Sequence, residues 1–147
     1  MAPGVRSDGA VPVNAFHVGD SYLFKHYFEG EAVFDRLRRY YDNTQYRFAV
    51  PTEEFDGVRR FLADRGYALD PVTSLDDYAV VVRKYTAHPD DIFKTSVLQR
   101  SHGDYNLFVL TDENAVAEAV ADGGTRLADS PLSVTLGSQM RLSAAEG

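Results

Sequence analysis

The 147-residue chain contains no cysteine. That absence excludes a disulfide framework, a thiolate zinc site and a cysteine nucleophile. It contains no tryptophan either, so its nine Tyr and nine Phe must supply the large rings of its core. Long apolar runs are also missing. The longest are "YAVVV" at 78–82 and "LFVL" at 107–110, far short of the ~20 residues that a membrane-spanning helix needs. "MAPGVRSDGAVPVNAF" has no apolar h-region, so a secretory signal is not expected, and a soluble cytoplasmic protein is the default expectation.

Lysine is scarce, with 3 Lys against 12 Arg, and the acids are 15 Asp and 7 Glu, giving a net charge of -7. Few Lys, many Asp and no Cys resemble the composition of proteins from salt-adapted or GC-rich organisms. The acidic surplus argues against duplex DNA as a partner, because binding through a general positive field needs a net cationic surface. The motifs that name a reaction are absent too. There is no Walker loop, no Gly-x-Gly-x-x-Gly after a strand and no Gly-x-Ser-x-Gly, and neither an EF-hand loop nor a His-x-x-x-His pair. No cofactor and no metal site is therefore expected.

What is present is periodicity. "SYLFKHYF" (21–28) reads as a strand, and "EAVFDRLRRYYD" (31–42) as a helix with Val33, Phe34, Leu37 and Tyr41 on its apolar side. "QYRFAV" (45–50) alternates as a half-buried strand, with Tyr46, Phe48 and Val50 on one face and Arg47 and Ala49 on the other. Thr52 can cap a helix whose stripe is Phe55, Val58, Phe61 and Leu62, with Gly66 at its end and Gly57 as a local conflict in its interior. "YALDPV" (67–72) is a strand that Pro71 places at an edge, and "DYAVVVRKY" (77–85) suits a central strand. The segment 89–101 allows two readings, a helix opened by Pro89 or the first arm of a hairpin through "HGD"; the helix is preferred. "DYNLFVL" (104–110), an Ala-rich helix capped by Thr111 or Asp112 and stopped by Gly123, and a short strand at "TRLA" complete the pattern.

The expected fold is α+β. A single compact domain (16–129) holds a ferredoxin-like βαββαβ core over about 45–110, extended by an N-terminal βα and a C-terminal αβ unit. Residues 1–15 are expected to form a flexible N-terminal tail. Residues 130–147 are expected to be loosely ordered, with "LSVTL" as a short edge strand.

Two constellations are candidates for function. The first is His88, Lys94 and His102, with Arg100, bracketing 89–101; a general acid or base needs a His near neutral pKa and a group to orient it. The second is the Arg and Tyr set Arg36, Arg38, Arg39, Tyr40, Arg47, Arg59 and Arg60, residue types that bind partners by charge and stacking.

The stretch 62–94 resembles the tRNA-splicing endonuclease domain in its Arg-Gly-Tyr, its aromatic-bounded strand and its following His and Lys. The resemblance implies RNA cleavage by Tyr67 or Tyr85, His88 and Lys94. The chain departs from that family by lacking its Gly- and Phe-rich stretch and by placing the Lys too soon after the His.

The leading expectation is a non-enzymatic binding, regulatory or adaptor domain with a protein partner, and self-association into a homodimer is allowed by open sheet edges. The alternative is a hydrolase or nuclease acting on an anionic phosphodiester through His88, Lys94 and His102. RNA binding by the exposed sheet face is the third reading.

Overall fold

The structure is a computed structural model and describes residues 9–132. The chain is α+β and divides into two compact units that meet in sequence at Val72 and Thr73.

The first unit is built on strands β1 (Val11–Val18), β2 (Ser21–Phe24), β3 (Tyr41–Asp42), β4 (Arg47–Pro51) and β5 (Tyr67–Val72), with helices α1 (Glu31–Leu37) and α2 (Thr52–Ala63). The strands form one mixed sheet in the order β3-β4-β2-β1-β5. β1 runs parallel to β5 from Val11 opposite Tyr67 to Phe16 opposite Val72, and the other pairings are antiparallel. Of the predicted α2 stripe, Phe55, Val58 and Leu62 are buried, in a core with Phe24, Phe48 and Leu69, while Phe61 is only partly buried against it. Truncating one such side chain costs about 2–5 kcal/mol. Thr52 is the first helical residue rather than the cap. Its N–H (2.9 Å) and its hydroxyl (2.5 Å) both donate to the carbonyl of Asp20, tying the β1–β2 turn to the start of α2.

Three expectations are corrected in this unit. Residues 11–15 are not tail but strand, with Val13 and Ala15 buried. Their partner β5 lies more than fifty positions along the chain, so nothing local reveals the pairing. The helix expected over 31–42 ends at Leu37, and a 3-10 turn (Arg38–Tyr40) leads into β3. Tyr41 leaves the helix because its ring packs edge-on against Phe34 (5.3 Å) and Phe48 (5.0 Å) while its backbone pairs with Phe48. Tyr46 does not share the buried face of Phe48: it turns outward at φ 56° and is 63% exposed, whereas Arg47 is buried.

The second unit holds β6 (Ala79–Arg83), α3 (Ile92–Thr95), β7 (Ser96–His102), β8 (Tyr105–Leu110), α4 (Glu113–Ala121) and β9 (Thr125–Arg126). Its sheet is antiparallel, in the order β7-β8-β6-β9. β6 is internal and buried from Ala79 to Val82, as its continuous apolar run predicts. Asp112 caps α4 by accepting from the N–H of Ala115 at 2.8 Å. One face of the sheet packs Val80, Val82, Phe108 and Leu110 against Ala115, Val116 and Ala119 of α4.

The segment 89–101 takes the hairpin form. Only four residues are helical, and β7 turns into β8 through Gly103 at φ 59°. The ladder from Leu98 to His102 gives those residues cross-strand partners that a helix of the same length would forgo. The βαββαβ core expected over 45–110 is not one sheet either. β4 and β5 pair with β2 and β1, while β6 pairs with β8 and β9. Of the expected C-terminal tail only residues 130–132 are described, where the Leu132 N–H donates to Ser130 Oγ at 3.2 Å; the rest of the tail and all of "LSVTL" after Leu132 lie outside the described residues. Among the described residues no helix is long and apolar enough to cross a membrane.

Candidate functional site

The histidine constellation is divided by the sheet that carries it. In an antiparallel pair, residues directly opposite share a face and successive residues alternate. His102 lies opposite Tyr105, and so does Arg83, which puts all three on one face. Asn106 and Phe108 lie on the other. His88 belongs with them: its Nε2 accepts from Asn106 Nδ2 at 3.3 Å, and its ring meets the edge of Phe108 with centroids 5.9 Å apart. Its Nδ1 donates to the Thr86 carbonyl at 2.8 Å, and Phe93 stacks on it at 5.7 Å. Both ring nitrogens of His88 are thus engaged with the protein. Lys94 pairs with Asp91 at 3.3 Å on an exposed turn, where Asp91 takes φ 65°. His88 and His102 point away from each other, and no catalytic pair forms between them. Of the two tyrosines the endonuclease resemblance singles out, Tyr85 is fully exposed at φ 63°, and Tyr67 lies in the first unit, partly buried with its ring 4.8 Å from Phe28.

The Arg and Tyr set is partly brought together. Arg36, Arg39, Tyr40 and Arg60 line one groove between α1 with its 3-10 turn and α2, about 720 Å³ in volume. Arg38 stands on the opposite flank of α1, paired with Asp35 and with its guanidinium 5.4 Å above the Phe34 ring. Arg59 is exposed on α2 and does not line the groove. Arg47 is only 8% exposed and offers no docking surface. It sits on β4 opposite Asp42 and contributes, after burial, to lowering the pKa of Lys25 from its ordinary value.

Four acids, Asp35, Glu53, Glu54 and Asp56, and Gly57 complete the groove. One oxygen of Glu54 accepts from Arg39 at 2.6 Å and from the Tyr40 hydroxyl at 2.6 Å. Burial, and then that hydrogen bond, raise the Tyr40 phenol above its ordinary value. Asp56 lies on the same wall, so the groove alternates positive and negative groups. Arg36 and Arg65 lie over the Phe61 ring at 5.3 and 4.0 Å, leaving the ring as an apolar patch between cations. Gly57 forms part of the wall in the middle of α2, and a Cβ built on it would meet no atom within 4 Å. Gly inside a helix costs about 1 kcal/mol relative to Ala, and no packing inside the protein requires it. The position is the one that reads from sequence as a conflict inside the helix.

Among the described residues there is no group of three or more His, Cys, Asp or Glu that could hold a metal ion. Compared with known proteins, the chain matches no family model, no curated protein and no solved structure.

Proposed function

We propose that the chain is a non-enzymatic, cytoplasmic binding or adaptor domain, and that a protein partner docks in the groove between α1 and α2. The observation that carries this reading is Gly57. A helix-interior glycine that destabilises the free protein, with open space before it, leaves bare backbone where a partner can approach closely. Around it stand Arg36, Arg39, Arg60 and Tyr40, the residue types that dominate interface energetics. The interleaved Glu53, Glu54 and Asp56 favour a protein surface carrying both charges over a polyphosphate, which these carboxylates would repel. A second copy of a chain with net charge -7 starts from the same repulsion.

The reading is tested by affinity capture from cells of origin with the wild-type chain and with an Arg36→Glu/Arg60→Glu double variant. A specific protein retained by the first and lost by the second supports it. Retention unchanged by the charge reversal, or RNA bound at low salt and released by Arg36→Ala and Arg60→Ala, overturns it.

A further inference from the structure

On the opposite flank of α1 lies a second cavity, of about 410 Å³, within the range of about 300–1,000 Å³ typical of small-molecule sites. Its walls are aromatic. Phe34, Tyr41 and Phe48 stand pairwise 5.0–6.0 Å apart, and Phe28 closes the set 5.8 Å from Phe48. Glu31 and Asp35, one helical turn apart, bring two carboxylates to its mouth. Aromatic faces carry negative potential and attract cations, and carboxylates add directly to that attraction.

We propose that this cavity binds a small aromatic cation, an aryl-amidinium or aryl-ammonium, whose ring packs among Phe28, Phe34, Tyr41 and Phe48 and whose charge meets Glu31 and Asp35. The chain itself displays the recognition: the guanidinium of Arg38 lies over Phe34 and on the carboxylate of Asp35, as the ligand's charged end would. Arg38 is 67% exposed and can leave without breaking the core. Glu31 has no ion pair with a described residue and is open to the ligand. His26 also lines the cavity, its ring 5.0 Å from Phe28. Burial lowers its pKa, so it is neutral at pH 7 and adds no positive charge to repel a cation. A carboxylate ligand would face Glu31 and Asp35, and Arg38 on the same lining is already paired with Asp35.

The test is a titration of the ¹⁵N-labelled full chain with benzamidinium, benzyl alcohol and benzoate, followed by amide shifts. Saturable shifts at residues 26–48 with benzamidinium, weaker ones with benzyl alcohol and none with benzoate are expected. Phe34→Leu, which keeps the apolar bulk but removes the π face, weakens benzamidinium by about three- to thirtyfold, while Phe34→Tyr retains it. Glu31→Gln weakens it as well, and Arg38→Ala strengthens it by freeing Asp35. The proposal is overturned by benzoate binding as tightly as benzamidinium. It is equally overturned if neither wild type nor Arg38→Ala shows saturable shifts, or if Phe34→Leu and Glu31→Gln, both folded by thermal melting, leave the affinity unchanged.

Discussion

The hydroxyl of Tyr40 donates to Glu54 Oε1 at 2.6 Å, joining the 3-10 turn after α1 to the first turns of α2. The same oxygen holds Arg39, so a single carboxylate fixes two side chains of the groove.

Tyr40→Phe removes that hydrogen bond and keeps the ring. It is expected to lower stability by about 1 kcal/mol in urea unfolding. The wild-type bond also carries a pH signature. The phenol's pKa is raised in the folded state from its ordinary 10.0, so its contribution is complete below pH 10 and is lost as pH rises through the folded value. Tyr40→Phe should abolish that alkaline decline; a decline of equal size in the variant would assign it elsewhere.

Two glycines should respond to alanine with opposite signs. Gly57 lies inside α2 with open space at its Cβ position, so Gly57→Ala should stabilise by about 0.5–1 kcal/mol. Gly124 is closed in: a Cβ there would stand 2.7 Å from Val80 Cγ1 and 3.1 Å from the Ala119 carbonyl, in a tight approach of α4 to β6. Gly124→Ala should destabilise by about 1–3 kcal/mol. Urea midpoints of the two variants, moving apart from wild type, check both.

The contrast between these glycines shows how much the sequence discloses. α2, β5 and the Asp112 cap of α4 are legible because their signals are local: a 3.6-residue stripe, a proline at an edge, a carboxylate three residues before the N–H it receives. The pairing of β1 with β5 and the sorting of strands into two sheets are not, because each strand's partner is distant and its own alternation is indifferent to which neighbour it finds. "FKTSVLQRS" satisfies helix and strand patterns alike, and only the ladder with β8 decides between them. For the groove, Arg36, Arg39, Tyr40 and Arg60 stand out by charge and aromatic type. Glu54 stands in the first turn of α2, where an acid suits the helix dipole, and its reach to Tyr40, fourteen positions away, belongs to the tertiary structure. Gly57 reads from sequence as a conflict inside the helix, and only the tertiary structure places it on the groove wall.

His26 gives a prediction in acid. Burial holds its pKa below the ordinary 6.5, so below pH 6.5 the unfolded chain binds a proton that the folded chain does not. Stability should therefore fall as pH drops from 6.5 and level off once folded His26 takes its own proton. His26→Gln should flatten this step in melting temperatures measured from pH 7.5 to 5; a step of the same size in the variant would place its origin in other groups.

The central claim is that a protein partner occupies the groove beside Gly57, and site-specific photo-crosslinking tests it most directly. A compact diazirine amino acid placed at Glu53, exposed on the same groove with Gly57 left intact, and the same group at the fully exposed Tyr85 as control, is irradiated in cells of origin. The account predicts one discrete adduct with another protein from position 53, none of that mass from position 85, and its loss when Arg36 and Arg60 are changed to Glu. No adduct at position 53, an adduct indifferent to the charge reversal, or an adduct with a second copy of this chain would contradict it.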